Sequence, residues 1–165
     1  MREDEVYVGT KIWFKAKGFA PLAGQPPNGC DNIPTIEIKE INNRDKGSKG
    51  SFKPDLVFGN PDYLVLVECK PLDDKQDEIK LLEVLTNKDR QRLLYEEIVQ
   101  RGIFKRRKLE EHFSNFEKFS LKLRACLSHG GETRLMEKVM TVSLVSMSGQ
   151  GTLTQPTNED YKINF

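Results

Sequence analysis

The sequence predicts an α/β fold in which helices flank a mixed central β-sheet. Three observations lead to this prediction: short apolar segments in the first half, long charged segments of helical periodicity in the middle, and another apolar segment near the end. Strands on both sides of a helical part, with a hairpin among them, imply antiparallel and parallel neighbours in one sheet. We expect a single domain over residues 1–165, with its core at 35–147 and a peripheral tail at 148–165.

The first part of the chain contains three segments of different character. Residues 5–17 (EVYVGTKIWFKAK) are aromatic and β-branched, and they predict one or two strands. Residues 18–34 are rich in glycine and proline, which predicts a loop. Residues 35–41 (TIEIKEI) alternate in character by twos, which predicts a further strand.

A hairpin follows after a polar connection. Residues 52–59 (FKPDLVFG) and 63–70 (YLVLVECK) predict two strands, because both are rich in apolar and β-branched residues. Residues 59–62 (GNPD) have a composition typical of a turn. The two strands should therefore pair with each other, and the second should be apolar on both faces.

The middle third predicts helices. The segment at 73–86 opens with acids, which suit a helix N-terminus, and the segment at 88–102 ends at a glycine, which suits a helix stop. A third helix is expected over about 105–128, and residues 138–147 (KVMTVSLVSM) predict a covered central strand. The apolar face of the third helix would consist of Leu109, Phe113, Phe116, Leu123 and Leu127.

Composition limits the functions that the chain can have. Hydrophobic residues make up 37% of it and charged residues 31%, which is typical of a globular protein. No apolar stretch approaches the roughly 18 residues of a membrane span, and no signal peptide is evident, so we expect no membrane partner. The three cysteines are widely spaced, which favours a reducing, cytoplasmic location over a disulfide framework or a zinc site.

Asp55, Glu68 and Lys70 form the most specific chemical pattern. Side chains alternate across a strand, so Glu68 and Lys70 share one face of the second hairpin strand. If the hairpin loop covers residues 60–63, Asp55 lies opposite Glu68, and opposed residues have Cβ atoms about 4.5–5.5 Å apart. Two ionised carboxylates that close repel each other by about 3 kcal/mol at an effective dielectric constant of about 20.

Such a pair of carboxylates needs compensation. A shared proton, a basic partner or a divalent cation would each provide it, and hard oxygen donors favour Mg²⁺ or Mn²⁺. In a simpler arrangement, Asp55 caps a turn while Glu68 and Lys70 form a surface ion pair. Cys69 should point to the opposite strand face as a small buried hydrophobe.

Pro54-Asp55, followed after twelve residues by Glu68-Cys69-Lys70 on an apolar strand, resembles the motif of the PD-(D/E)xK nuclease superfamily. Restriction endonucleases, Holliday-junction resolvases and RecB-type nucleases belong to this superfamily. The resemblance covers residues 35–100, with some support to 147, and implies a restriction-endonuclease-like core. After the lysine, Gln91 and Tyr95 resemble the Q-x-x-x-Y element of RecB-like members.

The resemblance implies a role for each residue of the motif. Asp55 and Glu68 would bind one or two Mg²⁺ ions, with Mn²⁺ as a possible substitute, and the backbone carbonyl of Cys69 would be a further ligand. Lys70 would orient and help to deprotonate the attacking water, and would stabilise charge on the phosphate. A lysine pKa lowered by its surroundings would suit that role.

The N-terminal side of the chain departs from the family pattern. Many members place another acid on a helix before the first core strand, whereas the residues before Thr35 predict no amphipathic helix. Glu3, Glu5, Glu37 and Glu40 are the possible third acids, and Glu40 is a possible supporting residue at the end of a predicted strand. The number of metal ions therefore stays open.

Two basic clusters could contact a nucleic acid. One lies in the connection before Asp55, and the other lies at the start of the third predicted helix, where cations oppose the helix dipole. Clustered cations can hold a phosphate backbone, although exposed loop tips and solvated helix ends have the same composition. The candidates are Lys46, Lys49 and Lys53 in the first cluster, and Lys105, Arg106, Arg107 and Lys108 in the second.

Together these expectations describe a Mg²⁺-dependent DNA endonuclease of the restriction type, built as a single nuclease domain. No dedicated DNA-reading motif is evident, so we expect a catalytic subunit. It would act as a homodimer, or as a heterodimer with a DNA-recognition subunit, similar to the small subunits of Type IIS restriction enzymes. The alternatives are a junction-resolving or DNA-repair nuclease, a non-catalytic nucleic-acid-binding module that keeps the fold, and an unrelated α/β domain with an accidental motif.

Overall fold

The structure, a computed structural model, describes residues 1–29, 31–39 and 51–165. Its helices are α1 (Glu3–Ala16), α2 (Lys75–Thr86), α3 (Lys88–Gln100), α4 (Ile103–Arg106) and α5 (Phe116–Lys122), with a short 3-10 helix at Glu159–Tyr161. Its strands are β1 (Ala20–Gly24), β2 (Ile38–Lys39), β3 (Ser51–Phe52), β4 (Leu56–Gly59), β5 (Leu64–Lys70), β6 (Leu123–His129), β7 (Met140–Leu144) and β8 (Gly151–Thr154).

Six strands form one sheet in the order β1-β4-β5-β6-β7-β8. Strands β1 and β5 are antiparallel to β4, β6 is parallel to both β5 and β7, and β8 is antiparallel to β7. Strands β2 and β3 form a separate antiparallel pair. The sheet is therefore mixed, and the predicted α/β class is confirmed.

Strand β5 is covered on both of its faces, as predicted. Leu64 and Leu66 pack into an apolar cluster with residues of α2 and α3, whereas Val65 and Val67 pack into a second cluster with residues of α1. The same alternation puts Glu68 and Lys70 on the α2 side of the sheet and Cys69 on the α1 side. The predicted burial of Cys69 is confirmed.

The hairpin of β4 and β5 has the predicted register. Gly59 pairs with Leu64 at the turn, and the pairing continues regularly so that Asp55, just before β4, comes opposite Glu68. In the turn, the Asn60 side chain accepts two backbone N–H groups at 2.8 and 2.9 Å. This asparagine fixes the turn and, through it, the register of the acids.

The prediction of strands at residues 5–17 is wrong, because this segment forms α1. Aromatic and β-branched residues favour strands, but here they recur at intervals of three and four, which is the period of a helix. The first turn is acidic, as suits a helix N-terminus, and the Glu5 carboxylate accepts the Arg2 N–H at 2.8 Å. The buried residues are Val6, Tyr7, Gly9, Thr10, Trp13 and Phe14.

The glycine- and proline-rich segment, predicted as a loop, contains β1. Pro21 is tolerated there because β1 is an edge strand, where one side of the backbone needs no ladder partner. The strand predicted at 35–41 appears as β2, and its last residues lie outside the described residues.

The helices predicted at 73–86 and 88–102 are confirmed as α2 and α3. Asp74 caps α2 by accepting the Gln76 N–H at 2.8 Å, and Asn87 caps α3 in the same way. Gly102 follows α3 with a φ of 65°, in the left-handed region that favours glycine.

The prediction of one helix over 105–128 is wrong. The segment contains the short helices α4 and α5, and then β6, the parallel neighbour of β5. Leu123 and Leu127 fit a helical face, but they also fit strand alternation, and Ala125 joins them in the α2-side cluster while Cys126 lies in the other. The helical prediction thus concealed a central strand.

The last predicted strand is confirmed as β7. Beyond it, β8 extends the sheet, and the side chain of Ile163 lies in the α1-side cluster, so residues after 147 contribute to packing. The ring of Phe165 lies 5.8 Å from that of Trp13 near the end of α1. Among the described residues, no helix is both long and apolar enough to cross a bilayer.

Candidate active site

Asp55 and Glu68 meet at the end of the hairpin, opposite its turn. The Cys69 N–H donates to Asp55 Oδ2 at 2.8 Å, and the Glu68 carboxyl group donates a hydrogen bond to the Asp55 carboxylate. Glu68 is only 4% exposed. The structure therefore brings the two predicted acids into direct contact.

The surroundings of the two carboxyl groups favour their protonated form. Burial, the neighbouring Asp55 charge and the hydrogen bond to it raise the pKa of Glu68 to about 10, and the Asp77 charge acts in the same direction. Burial also raises the pKa of Asp55, although the Cys69 N–H and the charge of Lys70 oppose this. These shifts favour a shared proton, one of the three compensations expected for the pair.

Lys70 lies beside the two acids, with its side chain 31% exposed. Its Nζ is 3.5 Å from Glu3 Oε1 and 3.8 Å from Asp77 Oδ2. Burial lowers the pKa of Lys70, but the charges of Asp77, Glu3, Asp55 and Glu68 outweigh burial, so its pKa is raised. The surroundings of Lys70 thus do not lower its pKa, and the charge on Lys70 favours electrostatic stabilisation over proton abstraction.

Glu3 reaches Lys70 because α1 is anchored across the strands that carry the site. The hydroxyl of Thr10 lies 2.7 Å from Ser128 Oγ and accepts the thiol of Cys69 at 3.7 Å, all in a buried position. The first turn of α1, about six residues before Thr10, therefore lies at the end of β5, where Glu3 contacts Lys70. The side chain of Met1 packs against Gly130. The N-terminal helix that the sequence did not predict therefore supplies an acid to the site.

The other candidate third acids lie elsewhere or outside the described residues. Glu5 accepts the Arg2 N–H, and Glu37 pairs with Lys39 at 3.8 Å and Lys53 at 3.9 Å. Glu40 lies outside the described residues. Of the described candidates, Glu3 has an ion pair with a residue of the motif.

Asp77 and Lys80 are residues of the site that sequence reasoning missed. Asp77 lies in the first turn of α2, with a side chain 2% exposed, between Lys70 and Lys80. Lys80 Nζ is 2.9 Å from Asp77 Oδ1, and its charge lowers the pKa of Glu68. In the sequence, these residues resemble any solvated helix start, so spacing alone could not reveal the burial of Asp77.

The chemistry of the acids fits a divalent cation. Asp55 and Glu68 offer hard carboxylate oxygens, and a cation would replace the shared proton as their compensation. Among the residues that the structure describes, no three His, Cys, Asp or Glu side chains form a complete metal-ligand group. Asp55 and Glu68 could supply two of the ligands such an ion needs, and the Cys69 carbonyl stays a predicted third.

Gln91 and Tyr95 lie away from the acids. The Gln91 side chain donates to the carbonyls of Val84 and Leu85, at the end of α2, and accepts the hydroxyl of Ser120. Gln91 lies near the start of β6. The parallel strand β5 carries Glu68 near its C-terminal end, so Gln91 and Glu68 lie toward opposite ends of these two strands. The Tyr95 hydroxyl donates to the Phe113 carbonyl at 3.0 Å, so both residues serve packing.

The second basic cluster is exposed on the α3–α4 side of the fold. Arg106 donates to the Arg101 carbonyl at 2.9 Å, and Leu109, just after the cluster, lies beside Gly59 at the hairpin turn. Lys105, Arg107 and Lys108 are exposed. In the first cluster, Lys53 pairs with Glu37, whereas Lys46 and Lys49 lie outside the described residues.

Comparisons of the chain with family models, with curated proteins and with solved structures each found no match. The site must therefore be interpreted from its own geometry.

Proposed function

We propose that the protein is a Mg²⁺-dependent endonuclease of the PD-(D/E)xK type, with a restriction-endonuclease-like core. The observation that carries this proposal is the direct contact of the Asp55 and Glu68 carboxyl groups, with Lys70 on the same face of β5. A fold that buries two acids against each other loses stability, which is the usual cost of a site built for chemistry.

The acid on α1 supports the proposal further. Many members of the superfamily place an acid on a helix before the first core strand, and Glu3 lies on such a helix, 3.5 Å from Lys70. The agreement is independent of the motif, because residues 1–34 were not part of the resemblance.

In the proposed reaction, Asp55 and Glu68 hold the metal, with the Cys69 carbonyl as a further ligand. A bound Mg²⁺ ion lowers the pKa of a water molecule and stabilises negative charge on the phosphate. Lys70, kept charged by the acids around it, stabilises the charge that develops on the phosphodiester. Glu3 holds the Lys70 side chain in place.

We propose that the substrate is DNA and that the protein belongs to a restriction system. One such site cuts one strand, so we propose that the chain acts as a homodimer or with a DNA-recognition subunit. Lys53, two residues before Asp55, and the exposed cluster at 105–108 would contact the phosphate backbone.

Plasmid cleavage tests the proposal. Supercoiled DNA is incubated with the protein and Mg²⁺, Mn²⁺ or a chelator, and nicked and linear products are quantified. We expect cleavage with either metal and none with the chelator. Glu68→Gln and Lys70→Met should each lose at least about a hundredfold in rate, the scale of removing a positioned catalytic group.

The matched control is Asp62→Asn, which removes a carboxylate from the exposed hairpin turn at the far end of the same two strands. This variant should cut like the wild type. Cleavage that survives both site substitutions, in protein freed of contaminating nucleases, would show that the activity resides elsewhere. Wild-type protein that binds no Mn²⁺ by calorimetry would favour the non-catalytic binding module.

A further inference from the structure

Asp77 is a buried acid that the motif does not account for. Its side chain is 2% exposed, and its two oxygens face different lysines: Oδ1 is 2.9 Å from Lys80 Nζ, and Oδ2 is 3.8 Å from Lys70 Nζ. Among the described residues, Oδ2 has no hydrogen-bond donor. One carboxylate thus links the lysine of the motif to a second lysine.

Burial of this carboxylate is unfavourable unless its charge is compensated. The two ammonium groups provide compensation, and the first turn of α2 adds the positive end of the helix dipole. A fold that needed only stability would place an apolar residue at this position. The arrangement instead holds two cations at the rim of the site.

Lys80 faces the same centre as Lys70. Its side chain is 54% exposed, so its amine is accessible to a large ligand, and its charge acts on Glu68. The charged groups that face the two lysines come from four elements or their ends: Glu3 from α1, Asp55 before β4, Glu68 from β5, and Asp77 from α2. His129 pairs with Lys70 in the ladder of β5 and β6.

We infer that Asp77 is a positioning residue that holds Lys70 and Lys80 together, and that Lys80 is a second cation that contacts the phosphodiester of the substrate. This inference rests on the proposed function and deepens it. Lys70 would stabilise the reacting phosphate, while Lys80 would bind the same phosphate or its neighbour along the strand. A surface ion pair of the i,i+3 kind would instead contribute little to stability and nothing to activity.

Lys80→Met tests the contact with the substrate, and Lys75→Met is its matched control. Lys75 is an exposed lysine at the start of α2, five residues before Lys80, so each substitution removes one positive charge from the same helix. Binding of a short DNA duplex is measured by fluorescence anisotropy in chelator over a range of salt concentrations. Lys80→Met should weaken binding and reduce the salt slope by about one, whereas Lys75→Met should change neither.

Cleavage gives the second measurement for Lys80. In Mg²⁺, Lys80→Met should lower the cleavage rate about tenfold or more, while Lys75→Met should cut at the wild-type rate. Equal slopes and equal rates for the two variants would overturn the inference about Lys80 and leave the proposed function intact. Wild-type protein that cuts nothing would overturn both.

Asp77→Asn tests the positioning role, with Glu78→Gln as control. Glu78 is an acid in the same turn of α2, but it pairs with Arg134 at 2.5 Å and not with Lys70. Asp77→Asn should lower the single-turnover cleavage rate about tenfold or more, and Glu78→Gln should not. In a chain that already carries Lys70→Met, Asp77→Asn should lower the cleavage rate by a much smaller factor than in the wild type, because Asp77 acts through that lysine.

A role in folding alone would give the opposite pattern. The loss from Asp77→Asn would then be the same with or without Lys70→Met, and this additivity would overturn the positioning role. If Asp77→Asn does not fold, the comparison of Lys80→Met with Lys75→Met still decides the inference.

Discussion

The ammonium group of Lys70 lies 3.5 Å from the carboxylate of Glu3, although the two residues come from opposite layers of the fold. Lys70 projects toward α2, whereas Glu3 begins the helix on the other side of the sheet. The contact forms beyond the end of β5, where the two layers are no longer separated by the strand.

Glu3→Gln should therefore lower cleavage about tenfold with little effect on stability, because an ion pair exposed by about a third contributes less than about 1 kcal/mol to folding. The control is Glu5→Gln, which changes an acid of the same turn that caps the Arg2 N–H. Initial rates and thermal unfolding of both variants provide the measurement. Equal rates for the two variants would remove Glu3 from the site.

Glu68→Gln should stabilise the protein at neutral pH. The pKa of Glu68 is about 10 in the folded protein and 4.5 ordinarily, so the folded state keeps a proton that the unfolded chain releases. The contribution of this group to stability is complete below its ordinary pKa and decreases as the pH rises toward 10. Glu68→Gln removes this pH dependence, so the free energy of unfolding of the variant should exceed that of the wild type by on the order of 2 kcal/mol at about pH 7.5.

Urea unfolding at several pH values measures this effect. The difference between variant and wild type should grow with pH, whereas Asp62→Asn should follow the wild-type curve. A difference that shrinks with rising pH would show that Glu68 is ionised in the folded protein.

Metal binding should release about one proton near neutral pH, because a divalent ion replaces the proton that Asp55 and Glu68 share. Calorimetric titration with Mn²⁺ in two buffers of different ionisation enthalpy reports the number of protons released. Glu68→Gln should bind the metal weakly or not at all. Identical heats in the two buffers would contradict the shared proton.

Thr10→Val should lower the free energy of unfolding by about 1–2 kcal/mol, because the substitution leaves the buried Ser128 hydroxyl without its partner on α1. Thr86→Val is the control. Like the Thr10 hydroxyl, the Thr86 hydroxyl donates to the carbonyl four residues earlier, but this bond of 2.7 Å lies in an exposed position. Chemical unfolding should separate the two variants. Equal stabilities would mean that Thr10 does not anchor α1.

Arg106→Ala combined with Arg107→Ala should weaken DNA binding equally for all sequences and reduce its salt dependence, because phosphate contacts carry no sequence information. The control removes two exposed cations elsewhere, Lys15 and Lys118. Anisotropy titrations with duplexes of different sequence give the comparison. Unchanged binding by the first double variant would exclude this cluster from the DNA surface.

Local signals were sufficient to predict the hairpin and its acids. Asn60 and the neighbouring turn residues set the loop, and alternation along β5 then determines which residues face Asp55. Both effects act over a few residues, so they can be recognised without knowledge of the rest of the fold.

The other parts of the site depend on distant packing. Residue type at 5–17 favours a strand, whereas the spacing of Val6, Thr10 and Trp13 has the helical period and indicates α1. Asp77 gave no such signal, because its burial arises only when α2 packs against β5 and β6. Gln91 and Tyr95 have a family-like spacing, and in the structure their side chains link α2, α3 and α5.

The direction of α1 has a practical consequence for making the protein. The helix starts at Glu3, just after Met1, and has Trp13 near its other end, about 15 Å from Glu3 along the axis. An affinity tag fused before Met1 would emerge beside Gly130, next to the ion pair of Glu3 and Lys70. A tag fused after Phe165 would emerge near Trp13, away from that ion pair, so activity assays should use the second arrangement.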